Sequence, residues 1–203
     1  MESQKIVLYG ASTEMGERIL NEALDRGHRV TAIVPQPGKF IKSRHNLTIL
    51  QGEAVNKNDV RSKIKGTDVV ISAYTIKADP LEHYRDTTNL INAVQSDDVR
   101  QLIVLGYPGT NETEPTIPIP TNNEDWKAIS QAQRKTLDAL ENETNFRWSY
   151  IHHPAITDKP GKPEQTNKVL IKNSESEQYC SSKNIHKAVI DEAEHFTEVY
   201  YEL

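Results

Sequence analysis

The chain has little cysteine, few aromatics and no long apolar run, and each shortage removes a class of protein. One cysteine, Cys180, stands among 203 residues, so neither an internal disulfide framework nor a cysteine-based metal cage can form, which suits a reducing compartment. Apolar residues make up 36% and aromatics 6%, and no apolar stretch approaches the roughly 18 residues of a membrane span. Lysine and arginine total 24 against 29 acidic residues, for a formal net charge of −5. They form no basic stripe, which argues against nucleic acid as a partner. Met1-Glu2-Ser3-Gln4 does not read as a secretory leader, so a cytoplasmic location away from membranes is expected. The mean hydropathy of −0.65 reads as a polar exterior over a lean core, because the apolar residues present fall in strand-length blocks. A chain of this length buries roughly 70% of its unfolded surface as one domain. No repeat, low-complexity tract or linker divides it, so residues 1–203 are expected to form a single unit.

What is present is concentrated at the start, from Lys5 to Val34. Lys5-Ile6-Val7-Leu8-Tyr9 is a short apolar strand, and Gly10-Ala11-Ser12-Thr13-Glu14-Met15-Gly16 follows it at once. A helical pattern then places Ile19, Leu20, Ala23 and Leu24 on one face and closes at Gly27, a natural helix C-terminal residue. Arg29 to Val34 is a second, β-branched strand. Strand, glycine turn, helix and strand within about 30 residues form a βαβ unit. Its turn has the form of a dinucleotide-binding loop, which presents backbone N–H groups and a helix N-terminus to a pyrophosphate.

Further along, strands are expected at Leu47–Leu50, Asp68–Ala73, Gln101–Leu105 and Arg147–His152. Helices are expected at Asn58–Lys65, Pro80–Gln95, Glu124–Glu143 and Ser182–Ala193. Val169-Leu170-Ile171 reads as part of a small peripheral hairpin, and His195–Tyr201 as a last strand. The alternation implies an α/β, Rossmann-like, doubly wound and mainly parallel sheet flanked by helices, with a small C-terminal hairpin region. The proline-rich segment from Tyr107 to Asn123 is long for a connection and reads as a lid or binding loop.

The Gly10-to-Gly16 turn and the run Arg26-Gly27-His28-Arg29-Val30-Thr31-Ala32-Ile33-Val34 resemble the atypical short-chain dehydrogenase/reductases. The subgroup is the NAD(P)H-binding proteins related to NmrA-like regulators and to flavin or biliverdin reductases. Asp68–Ala73, Trp148–Ala155, Ala188–Glu192 and His195–Thr197 agree with it in order and spacing. The resemblance implies cofactor contacts from Gly10, Ser12, Thr13, Glu14, Met15, Gly16, Val34, Ala73, Tyr74, Leu105, Gly106 and Pro154. It implies NADP or NAD as cofactor, with NADP slightly favoured. No metal is expected, because the adjacent His152 and His153 point to opposite faces of a strand and no carboxylate–histidine spacing elsewhere suggests a site.

The chain also departs from that family. Thr13 stands where relatives carry a third glycine, so a β-branched side chain there either clashes with the pyrophosphate, forces it into a shifted pose, or gives its hydroxyl to a phosphate oxygen. Val34 runs into Pro35, which leaves neither an acid for a ribose 2′-hydroxyl nor an arginine for a 2′-phosphate. Lys39 and Arg44 are the nearby cations, each readable as a solvated surface charge.

Catalytic groups are not evident. His153, before Pro154 at the end of the sixth strand, and Tyr107, beyond the fifth, are the candidates for orienting substrate or cofactor. Tyr74 and Tyr107 could each stack on a ring ligand or merely cover the sheet. Tyr179-Cys180-Ser181-Ser182-Lys183 matches the Tyr-x-x-x-Lys pattern of ordinary short-chain dehydrogenases, but it straddles a loop and the last helix and is read as accidental. Lys127, Arg134 and Lys135 are read as solvated helix charges. Three functions stay open: a reductase passing hydride to a flavin, quinone or other planar small molecule; an NmrA-like redox sensor acting on a protein partner; and a relic fold without cofactor. The oligomeric state is not legible in the sequence.

Overall fold

A computed structural model describes residues 2–40, 42–74, 80–106, 123–152, 168–173, 177–181 and 184–198. In chain order the elements are β1 Lys5–Tyr9, α1 Glu14–Asp25, β2 Arg29–Val34, a 3-10 turn Pro37–Lys39, β3 Leu47–Gln51, α2 Lys57–Ile64 and β4 Val69–Ser72. There follow α3 Pro80–Val94, β5 Gln101–Leu105, α4 Asn123–Glu141, β6 Arg147–His152, β7 Lys168–Asn173, β8 Glu177–Ser181 and α5 Ile185–Glu198. The eight strands form one sheet in the order β3-β2-β1-β4-β5-β6-β7-β8. The first six strands are parallel, and β7 and β8 join antiparallel at one edge. The strand order reverses between β1 and β4, the switch point at which open α/β sheets take their ligands.

Side-chain alternation along each strand separates two cores. Ile6 and Leu8 of β1 face α1 and α5, where Ile19, Leu20, Val189 and Ile190 close over them. Val7 and Tyr9 face the opposite way and meet Val60 of α2, Leu90 of α3 and Leu140 of α4. All four residues of β4 are buried, as expected for a central parallel strand covered on both faces.

The expected C-terminal hairpin is present as β7 and β8, and it extends the main sheet at its edge because β7 pairs with β6. The C-terminal third differs from the sequence expectation in two places. Tyr179-Cys180-Ser181 lies on β8 and not in a loop; its pairing with β7 decides the conformation of a segment whose own pattern is uninformative. No strand begins at His195, since α5 continues through Glu198. Ile185, Ala188, Val189, Ile190 and Ala193 bury a helical stripe against the α1 side, and that seam overrides the β propensity of the residues after it. Arg26, the C-cap of α1, fastens the same helix through Asp191 at 2.6 Å and Glu194 at 2.7 Å.

At the amino edge of the sheet Asp68 ties three strands together. It accepts the Lys5 N–H at 2.8 Å and pairs with Arg100. Burial opposes its charge, yet the Lys5 amide and the Arg100 guanidinium hold its carboxyl below the ordinary value. With the folded-state pKa depressed, this stabilisation is complete above the ordinary carboxylate value of about 3.9 and is lost as pH falls through the folded one. Asp68→Asn should therefore lower the urea midpoint at pH 7, and the gap from the parent chain should close on acidification toward the folded-state value. A gap independent of pH would contradict this.

Candidate cofactor site

Gly10 closes β1 with φ +77°, and a Cβ there would lie 2.4 Å from the Ala73 carbonyl oxygen and 2.9 Å from the Tyr74 nitrogen. Gly16 is required for a second reason: a Cβ on it would sit 2.0 Å from the Gly10 carbonyl oxygen. The two glycines thus let the end of β1, the end of β4 and the start of α1 converge at the switch point.

Thr13 is the N-cap of α1. Its backbone is extended, with φ −80° and ψ 160°, a region open to any residue, so no glycine is needed there. Its Oγ1 accepts the Gly16 N–H at 2.9 Å and donates to the Ala73 carbonyl at 3.1 Å. The one hydroxyl proton is thereby engaged, which corrects the reading in which Thr13 donates to a phosphate oxygen. Ser12 is exposed at the head of the turn and has no hydrogen bond among the described residues.

Of the first helical amides, Gly16 is satisfied by the cap, while Glu14 and Met15 find no partner among the described residues. Two open N–H groups and the positive end of the α1 dipole form an anion-binding terminus. Glu14 would repel an anion there, but its carboxylate bonds Arg18 one turn on at 2.7 Å and is 63% exposed. A diphosphate fits the donors this turn presents.

Val34 is buried at the end of β2, and its carbonyl accepts the Gly52 N–H at 3.0 Å. Pro35 follows, exposed. Of the two nearby cations, Arg44 pairs with Asp25 at the far end of α1 at 2.8 Å. The Lys39 side chain is exposed and has no partner among the described residues.

Ala73, Leu105 and Gly106 are buried at the carboxyl ends of β4 and β5. Gly106 is fitted to Tyr150, since a Cβ would stand 2.6 Å from that ring, and burial pushes the Tyr150 hydroxyl up to a pKa outside any acid–base role at neutral pH.

Of the two readings of Tyr74, the side chain takes the one that covers the sheet. Its hydroxyl accepts the Ala54 N–H at 2.9 Å, and its ring lies 6.0 Å from that of Tyr9 on the α2–α3 side. This placement gives it a part in holding the loop after β3. Burial, then the neighbouring Tyr9 and Asp86, raise its pKa far above the ordinary value.

Arg134 pairs with Asp138 at 2.8 Å, and Lys135 lies 5.9 Å from the Tyr84 ring centroid, so both serve helix packing. Tyr107, His153 and Pro154, as well as the side chain of Lys127, lie outside the described residues. Asn89 of α3 was not singled out by the sequence pattern. It donates to the Ala54 and Val55 carbonyls at 2.8 and 3.0 Å; the only sequence signal for it is a polar residue within the apolar pattern of α3.

Comparison with known proteins agrees with this geometry. Residues 10–195 match the sequence pattern of the NAD(P)H-binding family. The uncharacterized protein YwnB of Bacillus subtilis is 28% identical over 202 residues, covering 94% of this chain and 92% of that one. Among solved structures, a candidate epimerase of Bacteroides thetaiotaomicron is 30% identical, with a TM-score of 0.59 over 72% of this chain and 69% of that one. A candidate NADH-flavin reductase of Streptococcus pneumoniae is 25% identical, with a TM-score of 0.56 over 73% of this chain and 70% of that one. The family match spans the glycine turn, the switch point and all but the last residues, and the chain belongs to the NAD(P)H-binding family of atypical, NmrA-like short-chain dehydrogenase/reductases.

Proposed function

We propose that this chain, acting as one domain, is an NAD(P)H-dependent reductase that passes hydride to a flavin, a quinone or a similar planar acceptor. The observation that carries the reading is the pair of open amides of Glu14 and Met15 beside the exposed Ser12 hydroxyl, all at the Gly10 turn. When bound, NAD(P)H supplies a hydride, and an oxidised flavin or quinone accepts it with a proton from water, giving NAD(P)+ and the reduced acceptor. The chain's own part is to seat the diphosphate on the α1 terminus and to align the two rings at the carboxyl edge of the sheet. Such a transfer needs little acid–base help, so it does not depend on a Tyr/Lys pair. The likeness to a candidate NADH-flavin reductase supports this choice of acceptor.

Titration of the purified chain with NADPH and NADH, followed by nicotinamide fluorescence and then by oxidation in the presence of a flavin or quinone, tests the reading. Binding with turnover is the expected result. Binding without turnover would replace the reductase by a redox sensor, and no binding would leave only the fold.

We assign NADP preference to Lys39, a cation in the turn after β2 that has no partner among the described residues. Lys39→Ala should weaken NADPH binding about threefold to tenfold at low salt, with NADH unaffected. An equal effect on both nucleotides would count against a 2′-phosphate contact.

A further inference from the structure

The loop between β3 and α2 is held at the carboxyl edge by two side chains from other elements. Tyr74, just past β4, accepts the Ala54 N–H through its hydroxyl at 2.9 Å. Asn89, on α3, donates through its amide to the carbonyls of Ala54 and Val55 at 2.8 and 3.0 Å. Both main-chain polar groups of Ala54 are therefore claimed by side chains that reach across from the far side of the switch point. The Ala54 side chain is fully buried beneath them, while Val55 stands 50% exposed on the same loop.

The same short segment also forms the wall of the phosphate turn. The Ala73 carbonyl receives the Thr13 hydroxyl at 3.1 Å, and the Ala73 carbonyl and Tyr74 nitrogen lie where a Gly10 Cβ would fall. Ala73 and Tyr74 thus face the glycine turn with their backbone, while the Tyr74 hydroxyl fixes the β3–α2 loop. In a dinucleotide seated at a switch point the adenosine ribose lies toward the carboxyl end of the second strand, here β2, and β3 with its following loop lies directly beside β2. From this placement we infer that Tyr74 and Asn89 are positioning residues for the adenosine half of the cofactor, acting through the loop from Gly52 to Asn56.

This inference rests on the cofactor reading above, and the experiment separates the two. Tyr74→Phe keeps the ring against Tyr9 and removes only the oxygen that accepts the Ala54 N–H. Asn89→Leu removes both donors. Each variant is titrated with NADH, with NADPH and with reduced nicotinamide mononucleotide, which lacks the adenosine half, and its melting temperature is recorded.

Each substitution should raise the dissociation constants of NADH and NADPH on the order of tenfold, the consequence of leaving a loop amide or carbonyl unpaired. The constant for the mononucleotide should stay within about twofold. A merely structural role would weaken all three ligands alike, in step with the melting temperature, and that result overturns the inference. Unchanged NADH and NADPH binding in both variants overturns it too. A parent chain that binds neither dinucleotide overturns the cofactor reading itself, and this inference with it.

Discussion

Gly10→Ala is expected to abolish dinucleotide binding and to destabilise the fold by about 3 kcal/mol or more. Two costs fall on one methyl group. The backbone holds φ +77°, in the left-handed region where an L side chain meets its own carbonyl. The new Cβ would also stand 2.4 and 2.6 Å from the Ala73 carbonyl oxygen and carbon. Those atoms are main chain at the end of a fully buried strand, so no side-chain rotation relieves the contact. Moving Ala73 would break the Thr13 hydrogen bond and shift Tyr74, so the helix terminus and the β3–α2 loop would both be displaced. A displacement of about 1 Å at a positioning element costs on the order of a hundredfold in function. Urea denaturation and nucleotide titration of the variant measure the two effects separately. A variant as stable as the parent, with intact affinity, would contradict this description of the turn.

The second large effect is expected at Thr13, where valine and serine separate the two properties of the side chain. Thr13→Val keeps the shape and deletes the oxygen, leaving the Gly16 N–H without its cap and the Ala73 carbonyl without its donor. Loss of about 2 kcal/mol is expected, with weaker nucleotide binding as the first turn of α1 frays. Thr13→Ser keeps both hydrogen bonds and deletes the methyl, so its stability and its NADPH affinity should stay within about twofold of the parent's. A tenfold tightening in the serine variant would show that the methyl stands in the path of the diphosphate.

Much of the architecture was legible because its causes are local. The opening βαβ unit is readable from Gly10, Gly16 and Gly27 and from the stripe of Ile19, Leu20, Ala23 and Leu24, and β4 from the apolar run Val69-Val70-Ile71. The elements that were misread depend on partners that their own patterns do not announce. Glu177–Ser181 becomes a strand by pairing with β7 just before it in the chain, and His195–Glu198 stays helical because α5 is already seated on the distant α1.

Thr13 is the instructive case at the site. A motif that carries glycine in relatives suggested a steric defect, but the extended backbone and the two hydrogen bonds make this residue a helix cap. Its hydroxyl points into the turn, and the proposed anion contacts are those of Ser12 and the amides of Glu14 and Met15. Tyr74 was legible as a residue at the crevice. Its attachment to Ala54 was not, because that contact spans 20 residues and depends on the loop after β3.

The most direct test of the central claim is to follow the backbone amide resonances of the α1 terminus while NADPH or NADH is added. The Ser12, Glu14 and Met15 amides should shift most and saturate together, while the Gly16 amide, already bonded to Thr13, moves little. Saturable binding that leaves Glu14 and Met15 unmoved would contradict the account, because the diphosphate would then lie somewhere other than the Gly10 turn.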